Sequence, residues 1–292
     1  MKSIFITGAT GYLGSLISKQ LINSNYTLFC LKRKRSNFDR VNDIKEKISW
    51  IDIEYINFDD FFSKNKIDVI LHCATNYGRG VFDPSEIIDS NLILPLRILH
   101  SAAANNVKTF INTDTFLDKR VNNYSLSKKH FSEWLQSYSA HINTIDVILE
   151  HFYGPGDDPT KFVTDMIVRL LRNVDKIDLT PGEQKRDFIF IDDVVNAFKI
   201  IIDNTENFKK GYSRFEVGSS NSISIRDFLI KIKNKLPQNN TYLNFGAIHY
   251  RSNEIMDSYI DICELKKLGW KPLKSLDEGL DLTIKYEAKK LS

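Results

Sequence analysis

The chain has 292 residues, 42% of them hydrophobic and 26% charged, an ordinary globular composition that excludes disordered and fibrous classes. Forty basic residues against 37 acidic ones leave a net charge of +3, too little for wholesale nucleic-acid binding, so cationic function must sit in local clusters and no nucleic-acid partner is expected. No apolar run approaches the roughly 20 residues that span a bilayer, and the N-terminal apolar stretch is too short for a signal peptide, so a cytoplasmic protein without membrane association is expected.

In chain order, apolar runs at 3–7, 27–31, 48–51, 69–73, 109–112 and 145–149 predict strands. They lack clean alternation, as strands covered on both faces do. Helices are predicted at 12–23, 59–65, 85–105 and 123–141, the third bent at Pro95 and the fourth with a stripe of Phe131, Trp134, Leu135 and Tyr138. This rhythm is that of βαβ units around a parallel sheet. After residue 150 it changes: a Gly/Pro-rich break at 154–159 precedes a helix at 161–172, a strand at 188–191, a helix opening at Asp192 or Asp193, and a strand at 214–217. Another helix starts at 224–226, and the C-terminal stretch reads as short and mixed. The expected fold is α/β, a Rossmann doubly wound parallel sheet with a smaller C-terminal substrate-binding lobe. The dinucleotide domain would span 1–150, completed by about 183–221, and the lobe 151–182 and 222–292.

Gly8, Gly11 and Gly14 follow the first strand and open the first helix, where glycines permit a tight turn, close backbone approach to a pyrophosphate, and helix–sheet packing. No Gly-Lys-Ser/Thr follows, which excludes a Walker P-loop. The second strand normally ends in an acidic residue when the ligand is NAD. Here it ends in Lys32-Arg33-Lys34-Arg35, which would accommodate a 2′-phosphate and points to NADP(H); a solvated basic loop or a nucleic-acid patch is the plainer alternative. Asp52, after the third strand, either accepts from the adenine amino group or is an exposed strand-end carboxylate. Cys30, Cys73 and Cys263 share no CxxC spacing and read as reduced, buried hydrophobes. The six histidines form no metal-binding pattern, so no metal is expected.

Tyr124 and Lys128 stand at i and i+4 on one predicted helix face. The pair suits acid–base chemistry on a carbonyl or alcohol, with the ammonium expected to pull the phenol's pKa towards neutrality.

Together, TGATGYLG at 7–14, DVILHCA at 68–74, YSLSK at 124–128, YGPG at 153–156, RDFIFIDD at 186–193 and LGWKP at 268–272 resemble the extended short-chain dehydrogenase/reductase family, the NAD-dependent epimerase/dehydratase group. The resemblance covers nearly the whole chain. It implies that Thr113, Tyr124 and Lys128 are catalytic, with Thr113 sharing the reacting oxygen and Lys128 also holding the nicotinamide ribose. Gly8, Thr10, Gly11, Tyr12, Leu13, Gly14, Lys32, Arg33, Arg35, Asp52, Ile53, Cys73 and Ala74 would join Tyr124 and Lys128 around the cofactor. Thr75, Tyr77, Thr113, Asp114, Arg186 and Arg251 would contact a nucleotide-diphosphate sugar, the two arginines at its diphosphate; as plain surface cations, the arginines would carry no such role. A homodimer formed through the helices at 85–105 and 123–141 is a further family expectation.

Departures from the family pattern narrow the reaction. Thr115 stands where 4,6-dehydratases carry a glutamate base, and a hydroxyl cannot take the C5 proton. No cysteine lies near Thr113, which disfavours the epimerase-reductase chemistry of fucose synthases. Asp114 then either meets a sugar hydroxyl or caps locally, and His151 reads as a core or substrate-wall residue. What remains is NADPH-dependent reduction of a 4-keto group on a CDP- or dTDP-linked 6-deoxyhexose, in deoxysugar biosynthesis for surface polysaccharide, or 4-epimerisation with a bound NAD. A non-catalytic dinucleotide sensor is the competing class. The basic cluster and the segments 112–116, 149–158 and 181–198 favour a sugar 4-ketoreductase.

Overall fold

A computed structural model describes residues 2–80 and 83–292. Six strands carry the first half of the chain: β1 (Ser3–Thr7), β2 (Thr27–Lys32), β3 (Ser49–Asp52), β4 (Val69–His72), β5 (Thr109–Thr115) and β6 (Asn143–Leu149). Their neighbours pair parallel, and with a later strand, β10 (Tyr212–Val217), they form a seven-stranded sheet in the order β10-β6-β5-β4-β1-β2-β3. Every residue of β4, β5 and β6 is buried, which explains why their sequences run apolar rather than alternating.

The intervening helices are α1 (Tyr12–Asn23), α2 (Phe58–Lys64), α3 (Pro84–Ile88), α4 (Leu94–Ala104) and α5 (Asn123–Tyr138). On one face of the sheet Phe5, Ile70 and Phe110 pack with Phe62, Ile98, Leu99, Phe131 and Leu135 from α2, α4 and α5. Helices α1 and α4 hand over to Asn25 and Asn106 at φ 61° and 59°, where asparagine substitutes for the glycine usual in a left-handed stop. The helix predicted over 85–105 is not simply bent at Pro95. The turn before it, Asp89–Ile93, widens into a π-helix, which leaves Pro95 in the first turn of α4.

The later elements are β7 (His151–Tyr153), α6 (Phe162–Leu171), β8 (Lys176–Leu179), β9 (Lys185–Phe190), α7 (Ile191–Asp203), β10, β11 (Ser222–Ser224), α8 (Ile225–Asn234), β12 (Tyr242–Phe245), α9 (Cys263–Lys267) and α10 (Leu276–Leu291). Strands β11, β9 and β7 form one small sheet, and β12 and β8 another. Two compact units result: Met1–Leu149 with Val195–Phe215, and Glu150–Val194 with Glu216–Ser292. The return to the first unit is shorter than the 183–221 expected from sequence, because β9 pairs with β7 and β11.

The C-terminal stretch is not short and mixed: it ends in the 16-residue α10. Ser275 and Glu278 close a reciprocal capping box at its start, a signature present in the sequence but masked by a charge-rich helix with a weak apolar stripe. Cys263 is exposed on α9, contrary to the expectation of three buried thiols, whereas Cys30 is buried.

Within the second unit, Asp193 fixes the segment before α10. Its carboxylate accepts from the Leu273 and Lys274 N–H groups, both at 3.0 Å, and its carbonyl accepts from the buried Trp270 indole at 3.1 Å. Asp193→Ala strands two partly buried donors and should lower unfolding stability by about 2 kcal/mol, read from urea melts of both proteins; an unchanged melt would remove Asp193 as the anchor.

Candidate active site

Gly8, at φ 73°, makes the turn after β1, and a Cβ there would stand 2.5 Å from the Ala74 amide nitrogen. A Cβ on Gly14 would lie 2.2 Å from the Gly8 carbonyl oxygen. Only glycines therefore let α1 start this close to β1 and β4. Gly11 is the N-cap of α1 and supplies no side-chain cap, and the first turn carries no acidic residue. A first turn without a side-chain cap or an acidic residue suits an anion. Thr10 and Leu13 are half-buried in this turn, and the Arg40 guanidinium lies 5.3 Å from the centre of the Tyr12 ring.

The end of β2 departs from expectation. Lys32 is not free for a phosphate: its ammonium pairs with Asp52 at 2.8 Å, and this bond holds the Asp52 carboxyl below its usual range. Asp52 therefore carries its own cation rather than an open acceptor edge. Arg33, Lys34 and Arg35 remain exposed beyond the strand, and the Ile53 N–H bonds the Lys32 carbonyl at 2.9 Å.

Beyond β4, the Thr7 hydroxyl accepts from the Ala74 N–H at 3.2 Å and shares a hydrogen bond with His72 Nδ1 at 2.7 Å. Burial, then the Lys128 charge, holds the His72 imidazole well below its usual pKa, so it is neutral. Burial also pushes the Cys73 thiol up to about 12, which leaves it a protonated wall residue and no nucleophile. Thr113, buried on β5, donates its hydroxyl to the His72 carbonyl at 3.0 Å.

Helix α5 is started by Asn122, whose side chain accepts from the Ser125 N–H while Ser125 Oγ accepts from the Asn122 N–H. That cap puts Tyr124 and Lys128 in successive turns of one face. Ser127 Oγ donates to the Tyr124 carbonyl at 2.8 Å and accepts from the buried Asn91 amide at 3.0 Å. Asn91, in the π-turn, also bonds both backbone groups of Asn76. It thus ties the loop bearing Thr75 and Tyr77 to α5, and the Tyr77 ring rests 5.0 Å from that of Tyr124.

Lys128 is 1% exposed, and its ammonium has no hydrogen-bond partner among the described residues. Burial lowers its pKa, opposed by the charges of Asp114 and Asp146. Tyr124 also differs from expectation. Desolvation pushes its phenol well above the usual value, with the charges of Tyr77 and Asp114 adding to this and the Thr115 hydroxyl opposing. At neutral pH the phenol is protonated, a loaded proton donor rather than a base. Asp114 is not presented as an open sugar contact: its side chain is fully buried, paired with Lys129 at 3.3 Å and accepting from the Thr115 N–H at 2.7 Å.

In the second unit, Arg186 is committed within the protein. Its guanidinium pairs with Glu254 and donates to the carbonyls of Ile255 at 2.7 Å and Lys185 at 2.6 Å. Arg251 is exposed.

The sequence reasoning passed over Asn91, Ser127 and the Thr7–His72 bond. Asn91 directly follows Asp89 and Ser90, so nothing in its sequence neighbourhood sets it apart from an exposed polar turn. Among the described residues no group of three or more His, Cys, Asp or Glu side chains is placed to hold a metal, and no helix is long and apolar enough to cross a membrane. The cradle that a Cβ would fill at Gly8 and Gly14, the uncapped start of α1 and the unpartnered Lys128 ammonium together fit a dinucleotide.

Comparison with known proteins agrees. Residues 4–218 match the NAD dependent epimerase/dehydratase family. CDP-abequose synthase of Salmonella typhimurium (strain LT2) is 33% identical over 294 residues, covering 97% of each chain, and that of Salmonella muenchen is 35% identical over 288 residues, covering 96% of each. The crystal structure of UDP-glucose 4-epimerase with UDP-glucose from Thermotoga maritima superposes with a TM-score of 0.81 at 22% identity, covering 99% of this chain and 100% of the other, a likeness of fold. The seven-stranded parallel architecture, the glycine turn and this full-length similarity lead to one conclusion: the chain belongs to the NAD-dependent epimerase/dehydratase family of extended short-chain dehydrogenase/reductases.

Proposed function

We propose that the protein is an NADPH-dependent reductase of the C4 keto group of a nucleotide-linked 4-keto-6-deoxyhexose, acting in deoxysugar biosynthesis for surface polysaccharide such as O-antigen. The observation that carries this reading is the Tyr124 phenol one helical turn from a buried Lys128 ammonium that has no hydrogen-bond partner among the described residues. A ketone reduction needs a proton delivered as the oxygen becomes an alkoxide, and a phenol, protonated at neutral pH, can deliver it. The CDP-abequose synthase relatives support a nucleotide-sugar substrate, with CDP as the first nucleotide to try.

The bound NADPH would supply the hydride. Lys128 would bond its ribose hydroxyls, and Gly8, Thr10, Gly11, Tyr12, Leu13 and Gly14 would receive its pyrophosphate. Cys73 and Ala74 would wall the cofactor, with Asp52 and Ile53 at the adenosine end. Arg33 and Arg35, with Lys32 held by Asp52, would face the 2′-phosphate. Tyr124 gives its proton to the substrate oxygen, and Lys128, close by and positive, stabilises the tyrosinate that is left. Thr113 accepts a hydrogen bond from the newly formed hydroxyl while its own proton stays on the His72 carbonyl. Thr75 and Tyr77 would border the sugar. Arg186 would reach the diphosphate only by exchanging Glu254 for it, with Arg251 as the open cation. A homodimer through α3, α4 and α5 accords with exposed Ile88, Leu126 and Trp134 on those helices.

Tyr124→Phe should lower turnover by about 10³-fold with NADPH affinity nearly intact, whereas Lys128→Ala should damage both turnover and NADPH binding. Steady-state rates and a fluorescence titration separate the two; unchanged turnover in Y124F rejects the assignment. NADPH should be used in preference to NADH, and removing both Arg33 and Arg35 side chains should cut that preference at least about tenfold. Equal efficiency with the two cofactors in the unaltered protein would reject the NADPH preference; C4 epimerisation of a nucleotide sugar with no net cofactor oxidation would favour the 4-epimerase alternative, which keeps a bound NAD.

A further inference from the structure

A polar row runs through the core of the first unit. Thr7, His72, Asn112 and Asp146 are register partners on the adjacent strands β1, β4, β5 and β6, and none is more than 1% exposed. The row ends in a carboxylate that accepts from neutral donors: Asn112 Nδ2 at 2.8 Å, the Ser132 hydroxyl of α5 at 2.6 Å and the Tyr212 hydroxyl of β10 at 3.3 Å. Lys128 lies one turn before Ser132 on the same face of α5. Its ammonium and the Asp146 carboxylate each favour the other's charged form, yet the ammonium has no hydrogen-bond partner among the described residues.

The other carboxylate that acts on Lys128, Asp114, already has a cation in Lys129 at 3.3 Å. That leaves a buried anion and a buried cation that influence each other without contact. A direct pair would tie the ammonium to the sheet, whereas a buried ammonium with no carboxylate in range would lose its proton readily. Three neutral donors occupy the lone pairs of Asp146 and hold it on its strand. We propose that Asp146 is a remote counter-charge for Lys128: it keeps that side chain an ammonium, while Asn112 and Ser132, by saturating the carboxylate, leave the ammonium free to meet a cofactor ribose. This inference rests on the reading above in which Lys128 meets that ribose, and Asp146, Asn112 and Ser132 are positioning residues.

The groups facing the pair leave a titration window. Around Lys128 stand Asp114, Lys129, His72, Cys73 and Tyr124; around Asp146 stand Asp114, Lys128 and Tyr212, the last beside Arg214. His72 is held neutral, burial pushes the Cys73 thiol and the Tyr212 phenol up to about 12, and the Tyr124 phenol lies well above its usual value. None of these loses a proton ahead of Lys128, whose pKa burial lowers. Burial, then the charge of Asp114, pushes the Asp146 carboxyl up to about 6, so the counter-charge is present above that pH.

Fluorescence titrations with NADPH and with NADH, which share the nicotinamide ribose, from about pH 5 to about pH 10 test this. Asp146→Asn is nearly isosteric and still accepts from Ser132, so it removes the charge alone. Without the anion Lys128 loses its proton at lower pH, so the alkaline loss of affinity should move down by about one pH unit, a roughly tenfold weakening on that limb. Below about pH 6, where Asp146 is itself protonated, the variant should bind as the unaltered protein does. Ser132→Ala keeps the charge and frees a lone pair to draw the ammonium in; it should weaken both cofactors at neutral pH and move the alkaline limb up. Melting curves accompany both variants, and S132A carries the test if D146N does not fold. An alkaline limb that stays in place in D146N, or equal weakening at every pH, would overturn the proposal, as would an S132A protein that binds as the unaltered one does. A protein that shows these shifts yet never reduces a keto-sugar nucleotide would refute the reductase reading and leave this inference standing.

Discussion

An ammonium removed from water and bonded to no side chain is costly, and the first unit is organised around one at Lys128. Its charge is opposed only at a distance, by the buried carboxylates Asp114 and Asp146. Asp146 is itself crowded: burial and Asp114 push its carboxyl up to about 6, while Asn112 and Ser132 donate to it at 2.8 and 2.6 Å. Burial, with the same ammonium adding to it, keeps His72 neutral, and the Thr7 hydroxyl bridges that ring to the Ala74 N–H. The glycine turn, the end of β4 and the start of α5 thus share one electrostatic centre. A dinucleotide whose ribose hydroxyls meet Lys128 would supply the partner that the protein withholds.

That centre also decides which way Tyr124 works. The expectation of a phenol drawn towards neutrality weighs a single neighbouring cation. In the fold, desolvation and the charges of Tyr77 and Asp114 outweigh it, and the phenol stays protonated. Lys32 pairs with Asp52 and Arg186 with Glu254: cations that look free in sequence find local carboxylates in the fold.

Much of the fold was legible in sequence because its signals are local. Runs of Ile, Val, Leu and Phe mark β1 to β6 to within three residues at either end, and Gly8, Gly11 and Gly14 mark the turn they make. The spacing of Tyr124 and Lys128 gives a shared helix face directly. What was not legible depends on residues far apart in sequence. Arg186 and Glu254 are 68 positions apart, and Asn112 and Asp146 are 34 apart. The π-turn that seats Asn91 has no periodicity of its own, and α10 was hidden because its apolar stripe is thin, although Ser275 and Glu278 announced its start.

The central claim is that electrons leave the cofactor and stay on the sugar. The most direct measurement supplies a nucleotide-linked 4-keto-6-deoxyhexose with C4-deuterated NADPH, transferable deuterium on either face, and follows cofactor oxidation together with product NMR. The account predicts one NADPH oxidised per product molecule, with deuterium at C4 of the sugar from one of the two labelled faces. Conversion of a 4-hydroxy nucleotide sugar to its C4 epimer, with no net NADPH oxidation and no deuterium in the product, would contradict it.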